Sequence, residues 1–286
     1  MKRIFAWIGL LIFSFGTIAH ADSAPGDVIV TLGENLTPAQ KEQVLEEMGV
    51  PSDVTTVTVS NAEEHKYLGE YIPKAQIGSK ALSSSKITMK ESGYGINVET
   101  KKITWVSKEM YTNALSTAGV KDADIYITAP FDVSGTAALT GLIKAYETST
   151  GEKIPEEQKQ VANEEMVTTA KLGDQIGEKE ATELIQRIKE EVAAQNPQTV
   201  QDIQVIINNI SNELNIQLTQ DQIDQLAALF DKMQNLNINW DQVNNQLDKA
   251  KEKWDTFKNS EEGKGILQSL IDFLQSIVDG IAGLFK

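Results

Sequence analysis

The chain has 286 residues, with 26 basic against 41 acidic side chains and a net charge of −15. It contains no cysteine and two histidines, which excludes disulfides, thiol nucleophiles, a lipid-attachment cysteine and zinc sites built from Cys and His. The acidic balance argues against nucleic acid, whose phosphate backbone is bound by clustered Lys and Arg.

Met1-Lys2-Arg3 precede an apolar run from Ile4 to Phe15, and small residues stand at Ala19 and Ala21. A basic start, a short apolar stretch and an Ala-x-Ala site predict a signal peptide over residues 1–21, cleaved near Ala21. The run is too short to span a bilayer stably, which takes roughly 20 apolar residues. The product is therefore expected to be extracytoplasmic, either secreted or associated with the cell envelope. Cleavage leaves 265 residues and a net charge of −17, with His65 as the one histidine and Arg187 as the one arginine. A Ser-His-Asp triad would need His65 as its base, but Glu63, Glu64 and Lys66 around it mark a solvated surface histidine.

Residues 22–150 alternate strand and helix signals. Val28, Val30 and Leu32 keep a period of two, and Gly33 turns the chain. Thr37 as N-cap, Pro38 at the first helical position and Gln40 three residues on form a capping box, with Val44, Leu45 and Met48 as the buried stripe. Val57 and Val59 give a second strand, and Asn61–Ile72 a short helix or irregular connection. Ile87 and Met89, then Ile96 and Val98, alternate on either side of Ser92-Gly93-Tyr94-Gly95, the pattern of a hairpin. Ile103 and Trp105 continue with changed parity, which suggests a bulge or new strand near Lys101-Lys102. Ser107 caps a helix carrying Met110, Tyr111, Ala114, Leu115 and Ala118. Ile125 and Ile127 form a strand, and Ser134 opens a helix that ends at Gly151.

After Gly151 strand signals fade. Helices are predicted at Pro155–Leu172, Glu178–Gln195, from Thr199, from Thr219 (with Gln222 completing a second capping box) and from Asn239. The fold class is α+β: a mixed α/β domain over residues 22–150, then a helical domain over 151–286 that ends in an amphipathic helix at 265–285.

Two places suggest a site. In the last helix Leu267, Leu270, Ile271, Leu274, Ile277, Val278 and Ile281 share one face, opposite Gln268, Asp272, Gln275 and Asp279. Interfacial helices usually present Lys or Arg to anionic lipid, so this anionic face favours self-packing or a protein partner over a membrane surface. In Pro130-Phe131-Asp132-Val133-Ser134-Gly135-Thr136 a strand end leads into a helix N-terminus, where free N–H groups attract ligands; Ser134, Gly135 and Thr136 are the candidate ligand-binding residues. The simpler reading there is an N-cap with Gly135 allowing close packing. Ser83-Ser84-Ser85-Lys86 matches Ser-x-x-Lys, but its lysine begins a strand and not a helical turn, so the match is fortuitous. No residue pattern calls for a metal or a cofactor.

Ile103-Thr104-Trp105-Val106 through Met110-Tyr111-Thr112-Asn113-Ala114-Leu115, and Ala129 through Leu139, resemble the YpuA family, exported proteins of unknown function from Bacillus and related Gram-positive bacteria. The resemblance is closest from Ile96 to Tyr146. It implies an envelope location and brings no catalytic residues with it. The reading that follows is a non-enzymatic envelope protein that binds another protein or a wall polymer, with the helical half as contact surface. Two alternatives stand beside it: a cofactor-free enzyme acting on wall material through Asp or Glu carboxylates, and a peripheral membrane protein held by residues 265–285.

Overall fold

The computed structural model describes residues 24–51, 53–236 and 238–259. The leader over 1–21 and the amphipathic helix at 265–285, with Leu267, Leu270, Ile271, Leu274, Ile277, Val278 and Ile281, lie outside the described residues.

The architecture is α+β, a mixed five-stranded sheet with helices followed by a mostly helical part. The strands are β1 (Val28–Gly33), β2 (Thr55–Val59), β3 (Ser84–Met89), β4 (Ile96–Thr100) and β5 (Ala123–Thr128), in the order β2-β1-β3-β5-β4. β1 with β2 and β4 with β5 are parallel pairs, and β3 is antiparallel to both β1 and β5. Four strands thus share one direction.

The expected hairpin does not form. β3 and β4 follow each other in the chain, but β5 lies between them. Alternation fixes the face a side chain takes, not the neighbour its strand takes. Here helix α4 (Lys108–Thr117) carries the chain from β4 over to β5, a crossover that makes those two parallel. The parity change after β4 is not a further strand: Lys102 takes φ 59, and Ile103 makes a single bridge to Val133.

Alternation does sort the two faces. The register aligns Ile29, Ile87, Ile125 and Val98 in one row across four strands, all buried. They pack under α4 and helix α5 (Thr136–Thr150), with help from helix α2 (Asn61–Leu68). On the other face Val30 and Leu32 are covered by Val44 and Met48 around helix α1 (Pro38–Glu47). Val30's row continues through Lys86 and Tyr126, both partly buried, to an exposed Glu99.

Local signals set the helix starts. The Thr37–Gln40 capping box is closed in both directions, and Ser107 caps α4. A short helix, α3 (Lys74–Ile77), follows α2. Gly151 ends α5 at φ 70. Then come α6 (Glu156–Ile176), α7 (Glu178–Gln195), α8 (Val200–Glu213), α9 (Gln220–Asn235) and α10 (Trp240–Asn259). Ala162, Met166, Val167 and Ala170 of α6 pack into the core beneath the sheet. Val161 and Leu172 of the same helix join Ile185, Ile207, Leu229 and Phe230 in a second core. α6 therefore has no solvent-facing apolar stripe: it is shared by both cores.

Candidate functional site

The predicted turn is closed. Ser134 does not cap α5; Gly135 stands at the N-cap with φ 95 and no side-chain cap bond. A Cβ at Gly135 would lie 2.5 Å from both Ile103 Cγ2 and the Tyr111 hydroxyl, so the chain comes closer here than any side chain allows. Ser134 and Thr136 share a hydroxyl hydrogen bond of 3.2 Å. Thr136 donates to Glu64 Oε1 at 2.5 Å, and Tyr111 donates to the Gly135 carbonyl at 2.5 Å. Thr136, Glu64 and Tyr111 are all buried. Burial pushes the Glu64 carboxyl up despite the bonds from Thr136 and Asn61. Ser134, Gly135 and Thr136 thus meet at one knot of α2, α4 and α5, where their polar groups already have internal partners. His65 is not the solvated residue expected from its neighbours. It sits half-buried within α2, its Nε2 3.0 Å from the Gly78 carbonyl oxygen.

The solvent-facing part of the sheet forms a groove of about 410 Å³ between α1 and β4. Its charges are compensated in place. Burial raises the Glu47 carboxyl, but hydrogen bonds from Lys102, Thr128 and Tyr126 outweigh it and hold the group at about 2. Asp124 is likewise held below the usual carboxylate range: burial opposes, and Lys90, Tyr94 and Asn97 prevail. Burial and these carboxylates push Tyr126 and Tyr94 up to about 12. The Lys86 ammonium donates to the Met48 carbonyl at 2.8 Å. Acid-catalysed glycoside cleavage needs one protonated and one ionised carboxyl. Glu47 and Asp124 are both held below the usual carboxylate range, which suits neither of them to the role of the acid.

A second cleft, of about 380 Å³, lies among α3, α6 and α9 in the helical half. Three contacts build it. Lys232 of α9 bridges Glu164 of α6 at 2.7 Å. Lys171 donates to the Tyr71 carbonyl at 2.5 Å, tying α6 to the segment before α3. Gln222, the N3 residue of the Thr219 capping box, accepts from the Thr219 N–H through Oε1 at 2.7 Å and donates through Nε2 to Gln175 Oε1 at 2.6 Å. The cap therefore orients a carboxamide pair across the cleft. Leu172 and Leu226 make a buried floor. Gln76, Gln175 and Gln225 stand exposed on the rim. Among the described residues the carboxamides of Gln76 and Gln225 and the Nε2 of Gln175 have no protein partner. Asp174 and Lys171 offset each other, and the Asp174 carboxylate accepts from the Trp105 indole N–H at 3.1 Å.

In a chain of net charge −15 this lining is neutral and rich in groups that both donate and accept. The sequence named Gln222 only as a cap residue. Gln76, Gln175 and Gln225 gave no local signal, because three separate helices bring them together. Among the described residues no group of three or more His, Asp or Glu side chains could hold a metal ion.

A family model described as a protein of unknown function (DUF1002) matches residues 32–250. The chain is 54% identical to the uncharacterized protein YpuA of Bacillus subtilis (strain 168), over the full length of both. No solved structure matches it. The family match spans both the sheet and the helices that form the cleft, and the chain belongs to the DUF1002 family, as a full-length relative of YpuA.

Proposed function

We propose that the protein is a non-enzymatic binding protein of the cell envelope whose helical cleft holds a neutral, polar wall polymer. One observation carries the reading: the solvent-facing carboxamides of Gln76, Gln175 and Gln225 surround a preformed cleft of about 380 Å³ with no net charge. Convergent polar groups around a small apolar floor are the common form of a small-ligand site. Three carboxyls support binding over acid catalysis: Glu47 and Asp124 are held below the usual carboxylate range, and Glu64 is buried in the core. The leader pattern at residues 1–21 supports an envelope location.

The test is sedimentation of the purified chain, without residues 1–21, with isolated insoluble cell walls. The wild type is expected in the pellet, and the paired substitution Gln175→Ala with Gln225→Ala is expected to leave it in the supernatant. Equal sedimentation of both proteins would refute the cleft as the contact. Full-length protein retaining Met1 in the cytosol would refute the location.

A further inference from the structure

We infer that the cleft among α3, α6 and α9 takes an N-acetylated sugar unit of a neutral glycan; this names the ligand class for the binding reading above and rests on it. Lys171 and Asp174 are the charged side chains of the lining, and they cancel. A carboxylate or ammonium ligand would gain no counter-charge there and would lose its water.

A carboxamide offers two N–H donors and a carbonyl acceptor, the complement of an acetamido group with one N–H and one carbonyl. Gln175 lines the cleft with its Oε1 taken by Gln222 at 2.6 Å, which leaves its Nε2 as the group without a partner among the described residues. Gln225 adds a second carboxamide that has no partner among the described residues. Leu172 and Leu226 form a floor that is almost wholly buried, at 4% and 1% exposure. Such a small apolar spot suits a methyl group and not a long aliphatic chain.

Trp105 stands next to this lining. Its N–H is bonded to Asp174, a cleft residue, at 3.1 Å, and the half-buried indole packs against the core under the sheet. Indole is an apolar body with one polar handle, and here the handle is already in use. The part of the ring that the core does not cover is then the surface for the apolar C–H face of a pyranose. An extended peptide would be served better by an exposed strand edge with side-chain pockets at alternate positions, whereas these walls are helical.

Calorimetric titration with a tetramer of N-acetylglucosamine, its fully deacetylated counterpart and a short neutral Ala-Gly peptide tests the assignment. The acetylated tetramer is expected to bind, and the deacetylated one about tenfold more weakly or worse, since it loses the acetyl carbonyl and methyl and brings ammonium groups to a neutral cleft. Gln225→Ala and Trp105→Ala are each expected to weaken binding about fivefold or more, the scale of an interface anchor. Trp105→Phe should recover most of that loss. Trp105 also packs on the core, so Gln225→Ala, on an exposed side chain, decides the matter if the tryptophan variant unfolds. Equal binding of the deacetylated tetramer, a preference for the peptide, or an unchanged Gln225→Ala would overturn the assignment. If no tetramer binds while wall sedimentation persists and still needs Gln175 and Gln225, the sugar class is wrong and the cleft stands. Loss of both results removes both.

Discussion

Lys189 and Glu165 form an ion pair of 2.7 Å with neither side chain exposed to solvent. The lysine also donates to the Asn113 carbonyl at 2.7 Å, and Thr117 donates to Glu165 Oε2 at 2.5 Å. α4, α6 and α7 therefore meet on one buried pair, which links the layer under the sheet to the helical half. Burial pushes the Lys189 ammonium down against the pull of Glu165.

Removing one member leaves the other charge buried and alone. Lys189→Met is expected to cost about 3–5 kcal/mol, while replacing a whole buried pair with apolar side chains is often close to neutral. Combining Lys189→Met with Glu165→Leu should therefore recover much of the loss. Urea unfolding of the two single variants and the double variant measures the coupling. Additive losses would show that the pair is not the link between these helices.

Glu47 predicts an acid limb in the stability curve. Its carboxyl is held at about 2 in the folded chain against an ordinary 4.5. A lowered folded value means the unfolded chain takes up the proton first. The contribution is thus complete above pH 4.5 and lost as pH falls toward 2. Glu47→Gln is expected to lower stability by about 1.5–3 kcal/mol at neutral pH, the range for hydrogen bonds to a charged group. The wild-type and variant curves should converge as pH approaches 2. Parallel curves over that window would assign the effect to packing and not to charge.

Gly135 predicts a local rule violation. Its φ of 95 lies in the region that favours glycine, and a Cβ would meet Ile103 and Tyr111 at 2.5 Å. Gly135→Ala is expected to cost about 2 kcal/mol or more, since strain and overlap add. Thermal melts check this. Gly151→Ala is the control, because its φ of 70 carries strain with no atom within 4 Å. Equal losses at both positions would mean that the close approach contributes nothing.

What could be read in the sequence was what a few neighbouring residues decide. The Thr37–Gln40 and Thr219–Gln222 capping boxes, the Ser107 cap and the Glu178–Gln195 helix all lie within one helical segment. Ser134 misled because a hydroxyl near a helix start looks like a cap, while the backbone at Gly135 had already turned left-handed. The β3–β4 hairpin misled for a different reason: β5, more than twenty residues later, takes the place between them. The cleft was hidden in the same way. Gln76, Gln175 and Gln225 come together only once α3, α6 and α9 have packed.

Gln222 joins both levels, and its two substitutions separate them. Its Oε1 closes the Thr219 capping box, and its Nε2 holds Gln175. Gln222→Ala removes both and is expected to cost about 1 kcal/mol, the typical worth of a helix cap. Gln222→Glu keeps an oxygen for the Thr219 N–H and adds a negative charge in the first turn of α9, which the helix dipole favours. Its stability should match the wild type. The carboxylate cannot donate to Gln175 Oε1, however, and it brings charge into a neutral cleft. Gln175 must then turn its Nε2 toward position 222, away from the ligand. Gln222→Glu is therefore expected to melt like the wild type yet lose wall sedimentation as fully as Gln222→Ala. If it binds as well as the wild type, the orientation of Gln175 plays no part in recognition.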